Sequence, residues 1–226
     1  MVAAIKGAGL GFVFLASCLA QMQKIEVTVE RKTGDQIERT DPNHVFEQGD
    51  LVRFRFKSSF SGFLYVMDQS TSGKYLLLFP KEDAGMENRI ERNRAYVMPM
   101  TDSGWFRVEG PAGHEILYWL VSPASLAGGK TGSFTIPPLP AESEAVSPPM
   151  KPRCDDSIFR ARGECLDNTA GAKPVSKASV VPPGLGAIAG QTPRELTVMK
   201  SDKKTTIVAN QVENAPFFYT FRLAHK

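Results

Sequence analysis

In the segments that begin at Ile25 and at Val52 the chain switches between apolar and polar residues one position at a time, a period that suits strands and not helices. Val52, Phe54 and Phe56 alternate with Arg53, Arg55 and Lys57, and Ile25, Val27 and Val29 alternate with Glu26, Thr28 and Glu30. A helix would spread such residues around its circumference, whereas a strand puts the rings on one face and the cations on the other. Turn residues punctuate the pattern at Thr33-Gly34-Asp35, Gln48-Gly49-Asp50, Ser61-Gly62 and Ser72-Gly73. Two runs, 63–68 and 75–79, are apolar on both faces and read as adjacent central strands. The polar, turn-rich stretch 80–93 reads as an excursion outside the core, and the run 114–121, apolar on both faces, as the strongest strand of the chain and a buried one. The pattern predicts an all-β fold, an antiparallel β-sandwich of Ig-like or related type.

Composition shifts after residue 127. Pro137-Pro138, Pro148-Pro149, Pro152 and Pro182-Pro183 punctuate a Pro-, Gly- and Ser-rich span with few large apolar residues, which is expected to form an insertion over 128–203 without continuous helix or sheet. Strand character returns at 205–209 and 217–223. The expected organisation is therefore a signal segment at 1–20, a sandwich core at 24–127, the insertion, and C-terminal strands within 204–226 that return to the core.

The signal segment follows from the first residues. Lys6 precedes 13 uncharged, mainly small or apolar residues, 7–19, which span roughly 20 Å as a helix against a hydrocarbon core of roughly 30 Å. That fits the h-region of an exported protein better than a membrane span. Two cleavage schemes stand side by side. Leu15-Ala16-Ser17-Cys18 resembles a lipobox, which would lipidate Cys18, while Cys18-Leu19-Ala20 offers small residues for ordinary cleavage before Gln21. A membrane is expected as a partner only through that anchor. With Cys18 lipidated or discarded, Cys154 and Cys165 remain as an even pair closing a short loop, and in an oxidising compartment they are expected to form a disulfide.

The block from Val45 carries a recognisable series. It reads Phe46-Glu47-Gln48-Gly49-Asp50-Leu51-Val52-Arg53-Phe54, Ser61-Gly62-Phe63-Leu64-Tyr65-Val66, Leu77-Leu78-Phe79-Pro80, Asn88-Arg89-Ile90, Gly104-Trp105-Phe106-Arg107-Val108 and Gly110-Pro111-Ala112-Gly113-His114-Glu115. Over about residues 45–123 it resembles a bacterial family, the domain of unknown function 4384. The resemblance implies an all-β module of the kind found in exported proteins and beside signalling or protease domains. It brings no reaction, ligand or functional residue with it.

The residues themselves offer little chemistry. A net charge of +3, which falls to +2 once Lys6 is removed, is too dispersed for nucleic acid. The three histidines, His44, His114 and His225, are scattered, so neither a metal site nor a cofactor is expected, and catalytic residues are not assigned. The carboxylate pairs Glu82-Asp83 and Asp155-Asp156 read as solvated loop charge, and the glycines at 184, 186 and 190 follow Pro182-Pro183 without the strand a phosphate loop needs. Trp105, out of phase with Phe106 and Val108, is the candidate surface contact. The expected function is an exported, non-enzymatic envelope module that binds a protein or a surface polymer. The alternative is a periplasmic hydrolase or inhibitor with a site near His114, which would need a carboxylate such as Asp50 or Glu115 beside a serine.

Overall fold

The computed structural model of the protein describes residues 22–81, 87–100, 104–126, 151–175, 196–212 and 215–226. The expected signal segment 1–20, with Cys18, and much of the expected insertion lie outside the described residues, as do Glu82-Asp83 and the glycines at 184, 186 and 190. In chain order the elements are β1 (Gln23–Thr33), β2 (Gln36–Thr40), β3 (Val45–Phe46), β4 (Leu51–Ser58), β5 (Gly62–Gln69), β6 (Tyr75–Phe79) and β7 (Arg89–Ile90). Then come β8 (Ala95–Met98), β9 (Phe106–Arg107), β10 (Gly113–Ser122), α1 (Asp156–Arg162), β11 (Gly171–Pro174), β12 (Thr197–Lys200), β13 (Thr205–Asn210) and β14 (Phe217–His225).

They form an all-β sandwich of two sheets. The first runs β12-β13-β1-β4-β8, with β2 also on β1 and β9 on β4; the second runs β11-β14-β10-β5-β6, with β3 also on β14 and β7 on β5. Every pairing is antiparallel except the short parallel one of β3 with β14.

Alternation sets what fills the space between the sheets. Val27 lies opposite Phe56 and Val29 opposite Phe54 in the β1–β4 register, so one parity of each strand faces inward. On the second sheet the inward set is Leu64 and Val66, Leu117, Trp119 and Val121, and Phe217, Tyr219, Phe221 and Leu223, all in one core cluster with the first sheet's residues. Rings dominate the contact. Phe54 and Phe56 stand edge-on to Trp119 at centroid distances of 5.6 and 5.4 Å, and Trp119 stacks on Tyr219 at 5.9 Å. The cations alternate outward, where the buried Glu30 takes Nε of both Arg53 and Arg55 at 2.7 Å. Burial alone would raise the Glu30 carboxyl, but the two guanidiniums hold it below its ordinary value.

The second sheet is apolar on its outer face too. Tyr65, Met67, Tyr118, Leu120 and Phe218 form a separate buried cluster with Leu126, whose backbone N–H donates to the Tyr65 hydroxyl at 2.7 Å. This second cluster explains why the run 75–79 reads as a central strand. β6 in fact lies at the sheet edge with Leu76 52% exposed, and its outward apolar residues Tyr75 and Leu77 pack onto the outer cluster. The stretch 80–93 also departs from expectation, since β7 pairs with β5 and buries Ile90 completely.

Within 128–203 the described residues carry regular structure that composition hid. β11 adds to β14, β12 adds to β13, and α1 lies between the two cysteines. The helix starts because the Asp155 side chain caps the N–H groups of Ser157 and Ile158, and it stops at Gly163, whose φ of 69° is open to glycine. Asp155 is thus a capping residue as well as a surface charge.

Because Phe54 meets Trp119 and Phe221 across the sandwich and Phe106 beside it in its own sheet, its truncation should leave a cavity at the sheet–sheet interface. Phe54→Ala is expected to lower stability by about 3–5 kcal/mol in urea unfolding, while Phe54→Leu costs less than half of that.

Candidate functional site

β10 begins where two polar groups of side chains meet, one on each face of the second sheet. His114 shares the outward parity of Tyr118 and Leu120; Glu115 shares the inward parity of Leu117 and Trp119. The strand's alternation therefore sends neighbouring residues to opposite sites.

The outward site is built on the disulfide. Cys154 and Cys165 are bonded, and the bridge packs with Val45, Ala170 and Ala224 in a small apolar cluster. The Cys165 carbonyl accepts the Val45 N–H at 2.9 Å, and the Asn43 carbonyl accepts the Asp167 N–H at 2.8 Å. So anchored, the loop presents Asp167 to His114. Asp167 Oδ2 lies 3.4 Å from His114 Nε2 and accepts the Arg153 N–H at 3.0 Å; Oδ1 accepts the Thr169 N–H at 2.8 Å and its hydroxyl at 2.7 Å. Burial would raise the Asp167 carboxyl, but the Thr169 and Arg153 hydrogen bonds and the nearby imidazole hold it below its ordinary value. Around this cluster opens a groove of about 590 Å³ lined by His114, Lys151, Arg153, Asp155, Asn168 and Thr169, with the disulfide's Cys154 in its wall.

The arrangement is polar but unlike a nucleophilic relay. A relay sets the hydroxyl on one imidazole nitrogen and the carboxylate on the other. Here Thr169 Oγ1, at 3.3 Å, and Asp167 both approach Nε2, and the threonine hydroxyl is turned to the carboxylate. The carboxylates considered from the sequence go elsewhere: Asp50 lies 3.8 Å from Arg31, and Glu115 lies on the far face.

The inward site was missed by the sequence reading. Asp68 follows Leu64 and Val66 in parity, and His225 follows Leu223, so with Glu115 they meet between the sheets where the apolar rows end. His225, 1% exposed, meets Glu115 Oε1 at 3.1 Å, and Thr71 Oγ1 lies 3.3 Å from both. Gly113 permits this, since a β-carbon there would collide with the Thr71 side chain. The Asp68 carboxyl is pushed up to about 9, by burial first and by the neighbouring Glu115 second.

Residues 45–125 match the family described as Domain of unknown function (DUF4384). The DUF4384 span covers β3 to β10 and thus contributes strands to both sheets, but it leaves out β1, which flanks β4 on one side, and β14, which flanks β10 on one side. β1 lies between β4 and β13, and β14 lies between β10 and β11, so outside residues complete both sheets. His114, Asp68 and Glu115 fall within the DUF4384 span; Asp167, Thr169 and His225 reach them from beyond it. Comparison with curated proteins and with solved structures returns no match.

The remaining candidates are also placed. Trp105 is partly buried, with the Arg53 guanidinium 4.4 Å over its ring, so one face of the indole is taken by an internal cation–π contact. Among the described residues no group of three or more His, Cys, Asp or Glu is arranged to hold a metal ion, and no helix is long and apolar enough to cross a membrane.

Two substitutions test these accounts. Asp167→Asn should cost about 1–3 kcal/mol at pH 7 by urea unfolding. Because the folded carboxyl titrates below its unfolded value, its contribution is present above the unfolded value and fades as pH falls through the folded one. The variant and the parent should therefore converge in strong acid. Gly113→Ala is expected to destabilise by about 1–3 kcal/mol through the collision with Thr71.

Proposed function

We propose that this protein is an exported, non-catalytic binding module of the bacterial envelope, whose partner is a protein or a surface polymer. The observation that carries the reading is the 590 Å³ groove beside the disulfide, whose lining presents side chains of both signs. Lys151, Arg153 and His114 offer donors, while Asp155 and Asn168 offer acceptors. The disulfide holds one wall of this groove against β3 and β14, so the surface is largely preformed, which reduces the ordering cost of binding.

Export supports the same reading from another side. A disulfide that organises a groove is useful only where thiols are kept oxidised, and the leader-like segment 1–20 agrees with such a compartment. The rival reading, a hydrolase or inhibitor site at His114, draws support from the contact of His114 with Asp167 and Thr169. It is disfavoured by the convergence of both partners on the same ring nitrogen and by the Thr169 hydroxyl, which is turned to Asp167.

Two experiments test the proposal. Intact-mass spectrometry of the protein from its native host is expected to find a chain beginning at an acylated Cys18 or at Gln21, gaining two hydrogens on reduction; a chain that keeps Met1 would overturn export. In cosedimentation with isolated cell envelopes, the double variant Lys151→Glu/Arg153→Glu should lose at least five-fold in the bound fraction relative to the parent. An unchanged bound fraction would remove the groove from the account.

A further inference from the structure

At the inward site the two sheets part around a cleft of about 280 Å³. Its walls are apolar: Val52 and Phe54 come from β4, Leu117 from β10, Leu223 from β14, and Phe106 and Val108 close one side. Leu76 stands at the cleft half-exposed, while Asp68 and Glu115 supply its buried polar end. A cavity of this size and lining suits a short hydrocarbon chain, and a buried carboxyl at its end asks for a hydrogen-bond donor.

Asp68 is 8% exposed, and its Oδ1 has no hydrogen-bond partner. The groups that line the cleft with it, and those they contact, determine what kind of donor is missing. Glu115 is a second carboxyl, tied to Thr71 and His225. Glu109 is a third, and the one arginine of the lining, Arg107, is 3.9 Å from Glu109. Ser70 brings a hydroxyl, itself 2.8 Å from Ser72. His225 turns its Nε2 to Glu115 and Thr71. Carboxyls thus outnumber cations around the cleft, and a neutral donor would leave that imbalance in place.

We propose that this cleft binds a primary aliphatic ammonium, its alkyl stem between the sheets and its nitrogen at the Asp68 carboxyl. The stem buries against Val52, Phe54, Leu117 and Leu223, and the ammonium supplies both the absent donor and the absent positive charge. Burial and the neighbouring Glu115 keep a proton on Asp68 at neutral pH. Arrival of R–NH₃⁺ favours the ionised carboxyl, so the Asp68 proton passes to the buffer, the ammonium keeps its three hydrogens, and no covalent bond is made. This site lies on the opposite face of the second sheet from the disulfide groove and does not depend on it.

The test is titration calorimetry of the full mature protein at pH 7.5 with n-hexylamine, with 1-hexanol as the neutral chain of equal length. Hexylamine is expected to bind at least ten-fold more tightly than hexanol, with a heat that differs between phosphate and HEPES as a released proton requires. Asp68→Asn, similar in size and able to fill the same place, should weaken hexylamine at least ten-fold and leave hexanol within two-fold. Leu76→Trp, a change at a half-exposed position that leaves the acid pair intact, should weaken both ligands. Equal affinity for amine and alcohol, no binding of either, or an Asp68→Asn protein that binds hexylamine as well as the parent would each overturn the proposal. A lysine tripeptide flanked by alanines separates the sources. Binding comparable to hexylamine assigns the ammonium to a protein side chain, and failure beside a binding hexylamine assigns it to a free amine; both keep the ammonium.

Discussion

The edge-on packing of Phe54 and Phe56 against Trp119 holds the two sheets in one relative position, and the polar chemistry lies where that packing runs out. Rings this large leave little freedom to slide, because a one-residue slip of β4 would turn its rings to water and Arg53 and Arg55 into the core. The inward parity of each strand is therefore maintained to its end. Near the middle of the sandwich that parity delivers Val66, Trp119 and Tyr219; farther along it delivers Asp68, Glu115 and His225. The acid pair is the continuation of the hydrophobic core by the same geometry, with different side chains.

The second sheet bears a double constraint that the first does not. Its outer face holds a buried apolar cluster of its own, whereas the first sheet's outer face is wet and carries Glu30 between two arginines. With both faces of β10 occupied, its N-terminal end becomes the place where an inner and an outer polar group come within one residue of each other. Gly113 lies at that junction and admits Thr71, and the disulfide loop arrives from the other side to bring Asp167 to His114. The cross-link matters here because the short α1 buries none of its residues and has no core of its own to hold it. Docking through Val45 and Ala224 replaces the packing that the helix lacks.

Much of this was legible in the chain, and the remainder was hidden for physical reasons. Alternation at Val52, Phe54 and Phe56 marks a strand with one wet face because each polar neighbour reaches solvent or an ion pair. The run 75–79 misleads because apolar residues on both sides of a strand signal two buried faces, and β6 reaches that state partly from the edge through the outer cluster. β11 and β12 escape notice because four-residue edge strands need only one partner and tolerate Pro174 and Gly171 at their ends. The pairing of Cys154 with Cys165 could be read from their number and spacing. That Asp167 would meet His114 could not, since it depends on how the loop docks. Asp68 and His225 were legible in principle: counting in twos from Leu64 and from Leu223 points both inward.

A buried carboxyl with an unfilled acceptor is costly for a small sandwich, and the cost has a definite direction with pH. Asp68 titrates above its unfolded value, so the folded state holds more protons than the unfolded one between about 4 and about 9, and stability falls as pH rises across that window. An apolar residue at position 68 would extend the row of Leu64 and Val66 and remove the cost. The position instead carries a group that strains the protein most strongly at neutral and alkaline pH, beside a cleft with walls already apolar. Departures from the most stable choice of side chain concentrate where a surface has work beyond folding. The same energy that weakens the empty protein is returned when a cation enters, since ionised Asp68 then has both a donor and a counter-charge. Binding and stability at this end of the sandwich are thus two readings of one proton.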